Sequence, residues 1–139
     1  MLNMPSLFPQ LFDFQQIAPL ILRVVLGVVF IVHGYPKIFK NYSQTVQFFE
    51  SVGLKPGKVW VFVSGSVEFF GGMFLVIGLF TQAAAGLLAI NMAVALFWVK
   101  IYKSKAKFSG GYEFDLILFI LAIALLFLGA GALALDLPL

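Results

Sequence analysis

The sequence has 139 residues, of which 62% are hydrophobic and 11% are charged. Soluble domains are about 45–50% apolar and about 25% charged, so this composition indicates an integral membrane protein rather than a soluble enzyme. The net charge of +3 does not indicate nucleic-acid binding, because the lysines are concentrated in two short loops. Cysteine is absent, which excludes disulfides, thiol redox chemistry and thiolate-held iron–sulfur or zinc sites.

Four apolar segments are each long enough to cross the hydrocarbon core of a bilayer. They predict an all-α fold, an integral membrane four-helix bundle that forms a single domain over residues 1–139. The first segment lacks a basic region before it and a small-residue cleavage site after it, so we expect a permanent helix rather than a signal peptide. Thr81 and Gln82 are expected to form a tight turn between the second and third helices. The predicted helices cover residues 17–37, 59–80, 82–101 and 113–133.

Eight of the nine basic residues lie in the loops after the first and third helices. With four spans these two loops fall on one side of the membrane, and the positive-inside rule makes that side cytoplasmic. Both termini are then expected outside. The lysines concerned are Lys37, Lys40, Lys55, Lys58, Lys100, Lys103, Lys105 and Lys107.

The first loop contains apolar residues at helical spacing, a serine that can cap a helix start and a glycine that can end it. This pattern predicts a short amphipathic helix over residues 43–52 that lies at the membrane interface. A packed loop without a helix is the alternative.

Glu68 is the only charged residue in the apolar stretch of residues 59–80. A carboxyl group near the middle of a bilayer costs several kcal/mol unless it is protonated, paired or hydrated, and such groups are usually functional. Gly65 and Gly72 share its helix face, which indicates that Glu68 points toward protein rather than lipid.

Three other polar residues are expected at similar or neighbouring depths, at about 1.5 Å of helix rise per residue. Arg23 lies on a face of the first helix with Gly27, Phe30 and Gly34. Asn91 is central in the third helix, and the single histidine, His33, lies toward the end of the first. Arg23, Asn91 and His33 are therefore the candidate partners of Glu68.

Each of these residues also has a structural explanation. Arg23 could reach the outer interface or pair with Asp136, His33 could be an interfacial side chain, and Asn91 could hold two helices together. A metal site formed by Glu68, Glu113 and His33 is disfavoured because their depths differ, and we predict no metal.

The motifs of this chain resemble those of the DoxX family of small four-helix bacterial membrane proteins. The resemblance covers about residues 18–136. It rests on Arg23 through Lys37 in the first helix, on Glu68-Phe-Phe-Gly-Gly in the second, on Gly110-Gly-Tyr-Glu113, and on a final Gly129-Ala-Gly131 before Asp136. The chain departs from the family pattern at Gln82, Ala130 and Ala134, where the family often has Arg, Pro and Ser.

The resemblance implies a bacterial cytoplasmic (inner) membrane location and a link to membrane redox complexes, because the family includes or lies close to the membrane subunit of thiosulfate:quinone oxidoreductase. It implies a quinone as the cofactor, with none held covalently. It favours Glu68 and Arg23 as catalytic residues and His33, Asn91 and Glu113 as ligand-binding residues.

Three functions fit these observations. The first is a quinone-associated subunit of a membrane redox complex, which needs a redox partner subunit because the chain has no cysteine and one histidine. The second is a non-catalytic membrane partner or scaffold. The third is a small-molecule carrier, which would need a homo-oligomer because four helices are few for alternating access. The lipid bilayer is a partner in all three, and no nucleic acid is expected.

Overall fold

The computed structural model describes residues 5–136. The predicted domain also includes residues 1–4 and 137–139, which lie outside the described residues. Between residues 5 and 136 the regular structure is helical, without strands, which confirms the all-α fold. Four helices are long and apolar enough to cross a membrane, and they cover Ile17–Lys40, Gly57–Ile77, Thr81–Lys103 and Phe108–Leu128.

Five α-helices account for most of this architecture. Two of the membrane-spanning helices continue beyond their α-helical part with wider, π-helical turns, over Pro36–Lys40 and Val94–Lys103. The five are α1 (Ile17–Tyr35), α2 (Tyr42–Ser51), α3 (Gly57–Ile77), α4 (Thr81–Ala93) and α5 (Glu113–Leu128).

The fourth spanning helix ends earlier than predicted. α5 stops at Leu128, because Gly129 and Gly131 take positive φ angles of 75° and 71°, a conformation that ends helices and that glycine adopts without steric cost. The chain after Leu128 then folds back across the end of the bundle, where Ala132 N donates to Gln16 O at 3.0 Å. The prediction of a helix to residue 133 was therefore wrong.

The turn between α3 and α4 is also displaced from its predicted position. Gly78 ends α3 with a φ of 71°, and Thr81 is the first residue of α4. The turn thus consists of residues 78–80 and not of Thr81 and Gln82. The two helices form the expected antiparallel hairpin.

The closest helix contact joins α1 to α3. A Cβ atom built on Gly27 would lie 2.6 Å from the carbonyl oxygen of Gly72, and one built on Gly72 would lie 2.6 Å from that of Gly27. About two turns further along, a Cβ atom on Gly34 would lie 2.9 Å from Gly65 O. Only glycine permits such an approach, so the predicted glycine faces are buried helix contacts. We call this contact the glycine seam.

The predicted amphipathic helix in the first loop is confirmed as α2. Trp98 Nε1 donates to Val52 O at 2.9 Å, which joins the end of α2 to the extension of α4. Gly57 N donates to Glu50 Oε1 at 3.2 Å, which joins α2 to the start of α3. The two lysine-rich loops therefore lie at one end of the bundle, called the lysine end. The described N- and C-terminal segments meet at the opposite end, called the turn end.

Candidate ligand-binding site around Glu68

A cavity of about 660 Å³ occupies the half of the bundle nearer the lysine end. All four spanning helices and α2 contribute to its walls, which are mostly aliphatic and aromatic. The volume is in the range of small-molecule sites, and such sites typically combine apolar walls with a few polar groups. The ionisable and amide side chains that line it are His33, Lys37, Glu68, Asn91, Lys100 and Asp115.

Glu68 is 3% exposed and is one of the residues that line the cavity. Its Oε1 atom accepts hydrogen bonds from Lys37 Nζ at 2.7 Å and from Asn91 Nδ2 at 2.9 Å. Its Oε2 atom is buried and has no hydrogen-bond partner. A buried acceptor without a donor costs about 1–3 kcal/mol, and more when it is charged. The carboxylate is therefore held in place by one oxygen, and the other has no donor among residues 5–136.

Asn91 was one of three predicted partners of Glu68, and its contact is confirmed. Lys37, which supplies the positive charge, was not predicted. Its position nevertheless continues the helix face of Arg23, Gly27, Phe30 and Gly34 by one further step of the same spacing. Lys37 was interpreted as a topology signal at the end of the predicted helix, whereas the helix continues to Lys40.

The predicted contact between Arg23 and Glu68 is not formed. Arg23 is fully buried at the turn end, and its guanidinium donates to Leu75 O and Val76 O at 3.2 and 2.8 Å. These are among the last carbonyls of α3, which have no acceptor role within the helix and carry its negative dipole end. The remaining three bonds go to Ala130 O, Ala132 O and Leu133 O at 2.6–2.8 Å. All five donors of the guanidinium are thus used, and Arg23 does not line the cavity.

Asp136 also stabilises the turn end, at the start of α4. Its carboxylate accepts hydrogen bonds from the backbone N–H groups of Phe80 and Thr81 at 2.6 and 2.7 Å, which caps the start of α4. Desolvation acts to raise the pKa of Asp136, but hydrogen bonding from Thr81 and Phe80 and the charge of Arg23 outweigh it, and the pKa is lowered. The carboxylate is therefore ionised at neutral pH and acts as a structural group.

His33 and Glu113 differ in their relation to the cavity. His33 lines it, but its Nδ1 bonds to Val29 O at 2.8 Å and its ring packs 5.5 Å from that of Phe114, so it does not contact Glu68. Glu113 Oε1 accepts from Gly110 N at 3.0 Å and lies outside the cavity wall. Asp115, two residues later, takes the place in the wall expected for Glu113. Within residues 5–136, no three His, Cys, Asp or Glu side chains are grouped closely enough to hold a metal ion.

The Lys37–Glu68 pair generates a stability prediction. Lys37→Met should lower the free energy of unfolding on the order of 3 kcal/mol, because it leaves a buried carboxylate without its counter-charge. Lys40→Met serves as the matched control, because Lys40 is an exposed lysine in the same stretch of helix. It should change the free energy of unfolding little. Adding Glu68→Gln to Lys37→Met should recover part of the loss. Thermal melting in detergent compares the three variants with the unmodified protein, and equal melting temperatures for Lys37→Met and Lys40→Met would contradict the ion pair.

Comparison with known proteins agrees with these features. The family model described as DoxX matches residues 18–101. A Bacillus subtilis (strain 168) protein named "Putative oxidoreductase CatD" is 38% identical over 121 residues, which cover 87% of this chain and 86% of that protein. An uncharacterised Haemophilus influenzae protein is 33% identical over 118 residues, with coverage of 83% and 85%. No solved structure gives a significant match. The matched residues include the glycine seam, Glu68 and Asn91, and the chain belongs to the DoxX family.

Proposed function

We propose that this protein is the quinone-associated subunit of a membrane redox complex, and that its cavity holds a quinol headgroup against Glu68. The observation that carries the proposal is that Glu68 lines a cavity while its buried Oε2 atom has no donor among residues 5–136. The oxidoreductase name of the Bacillus subtilis relative is consistent with a redox role.

The polar groups of the cavity suit such a headgroup. A quinol hydroxyl can donate to Glu68 Oε2, which an oxidised quinone cannot do because its two oxygens only accept. The ammonium of Lys37 has three N–H donors and the amide of Asn91 has two, and each uses one of them on Glu68 Oε1. The others are available for a ligand oxygen.

A bound quinol would supply two electrons and two hydroxyl protons. Glu68 Oε2 would act as the general base, so that a hydroxyl O–H bond breaks and a carboxyl O–H bond forms. Lys37 supplies the counter-charge of the Glu68 carboxylate at 2.7 Å. Asn91 fixes the orientation of the carboxylate. The two electrons and the second proton would pass to an oxidised partner subunit, because this chain contains no cysteine and a single histidine.

Arg23 has a different part in this proposal. Since all its donors are bound to backbone carbonyls at the turn end, it would keep the bundle closed rather than act on the ligand. Glu113 would likewise order the start of α5 rather than bind the headgroup.

Glu68→Gln tests the proposal directly. The substitution keeps the shape of the side chain but removes its charge, and the loss of a charge-assisted hydrogen bond of about 1.5–3 kcal/mol should weaken quinol binding about tenfold or more. Calorimetric titration of the purified protein with a benzoquinol measures the affinity, and Glu113→Gln is the control because Glu113 lies outside the cavity wall. Binding by Glu68→Gln as tight as by the unmodified protein, or no binding by either, would refute the proposal.

Isolation of the native complex should also recover a redox partner subunit.

We also propose that the lysine end faces the cytoplasm and the turn end faces outward, in the bacterial inner membrane. The basis is the positive-inside rule, since both lysine-rich loops lie at one end. Single cysteines at Ser104 and Gln82 can be labelled in intact cells with a membrane-impermeant maleimide. Labelling is expected at position 82 only, and labelling at position 104 only would reverse the orientation.

A further inference from the structure

A second, apolar cavity of about 400 Å³ lies between α3 and α4. It lies next to the Glu68 cavity on the side of the turn end, because Val67 and Leu87 belong to the walls of both. From Val67 to Phe74 it extends about 10 Å along α3 at the rise of an α-helix. Its walls contain no ionisable side chain. We call this second cavity the α3–α4 groove.

The groove has the shape of a channel that is open on one side. Small residues, Gly71, Ala83 and Ala84, allow its depth, and the rings of Phe70 and Phe74 flank it. Phe70 and Leu87 are 48% and 54% exposed on the membrane-spanning part of the bundle, where the surrounding medium is lipid. The open side of the groove therefore faces the hydrocarbon interior of the membrane.

The ionisable groups line the Glu68 cavity, and the apolar groove lies next to that cavity. His33, Lys37, Lys100 and Asp115 line the Glu68 cavity toward the lysine end, and the groove leads away from them. A ligand with a polar head and an apolar tail can fill both parts only with its head at Glu68 and its tail toward the turn end. A ligand without a tail would leave the groove to be filled by lipid chains of the membrane.

We propose that the α3–α4 groove binds the hydrocarbon tail of the same molecule whose headgroup lies at Glu68, and that this molecule enters sideways from the membrane between α3 and α4. The inference rests on the proposed function and specifies its substrate class: a quinol that carries a lipid tail, rather than a water-soluble quinol. The lysine end then serves for proton exchange and not for ligand entry.

Ala83→Trp tests the proposal, because Ala83 is exposed in the groove wall and a larger side chain there fills the groove without entering the core. Ala18→Trp is the matched control, since Ala18 is an exposed alanine of α1 outside both cavities. Two probes share one benzoquinol headgroup, and one carries a decyl chain and the other a methyl group. Affinities are measured in purified protein whose melting temperature matches the unmodified protein, so that misfolding is excluded.

Ala83→Trp should weaken binding of the decyl probe about tenfold or more relative to Ala18→Trp, which corresponds to the lost burial of about two methylene groups. Binding of the methyl probe should be the same in both variants. Equal affinities of the two probes for the unmodified protein, with no effect of Ala83→Trp, would overturn the tail site and leave the proposed function intact. Displacement of a co-purified phospholipid by Ala83→Trp without any change in decyl-probe affinity would show a lipid-chain site only, and would also overturn it. Failure of the unmodified protein to bind either probe would overturn both proposals.

Discussion

The glycine seam between α1 and α3 is the contact on which the other features depend. Because the backbones of the two antiparallel helices touch at Gly27 and Gly72, the side chains of α1 that flank the seam reach directly onto α3. Arg23 meets the carbonyl end of α3 at the turn end, and Lys37 meets Glu68 toward the lysine end. Side chains larger than glycine in the seam would separate the helices and lengthen both contacts.

The two buried charged side chains, Arg23 of α1 and Glu68 of α3, are stabilised in different ways. Arg23 uses all five donors on backbone carbonyls, so its hydrogen-bonding capacity is complete. Glu68 is only half satisfied, since Oε1 accepts two bonds and Oε2 accepts none. Unsatisfied buried polar atoms are rare in folded proteins and usually have a specific cause. In this bundle the incomplete partner set of Glu68 coincides with a cavity, and Arg23 lies outside it.

Hydrophobic length and periodicity were sufficient to predict the four spans, the amphipathic α2 and the glycine faces. They could not predict the end of α5, because residues 129–133 are apolar whether or not they are helical, and only the backbone angles at Gly129 and Gly131 distinguish the two. The partners of Arg23 could not be predicted either. Every residue has a backbone carbonyl, so the sequence does not identify which carbonyls accept its hydrogen bonds. Lys37 could have been found from its helix face. It was missed because lysines near a helix end are normally interpreted as topology signals.

The central proposal is that Glu68, paired with Lys37 at 2.7 Å, accepts a hydrogen bond from a bound quinol and takes its proton when the quinol is oxidised. Infrared difference spectroscopy of the purified protein with bound quinol, recorded before and after a chemical oxidant is added, reports the protonation state of carboxyl groups directly. A protonated-carboxyl C=O band is expected to appear on oxidation of the bound quinol in the unmodified protein and to be missing from Glu68→Gln. A protonated-carboxyl band that is already present before the oxidant is added, and that Glu68→Gln removes, would contradict the proposal.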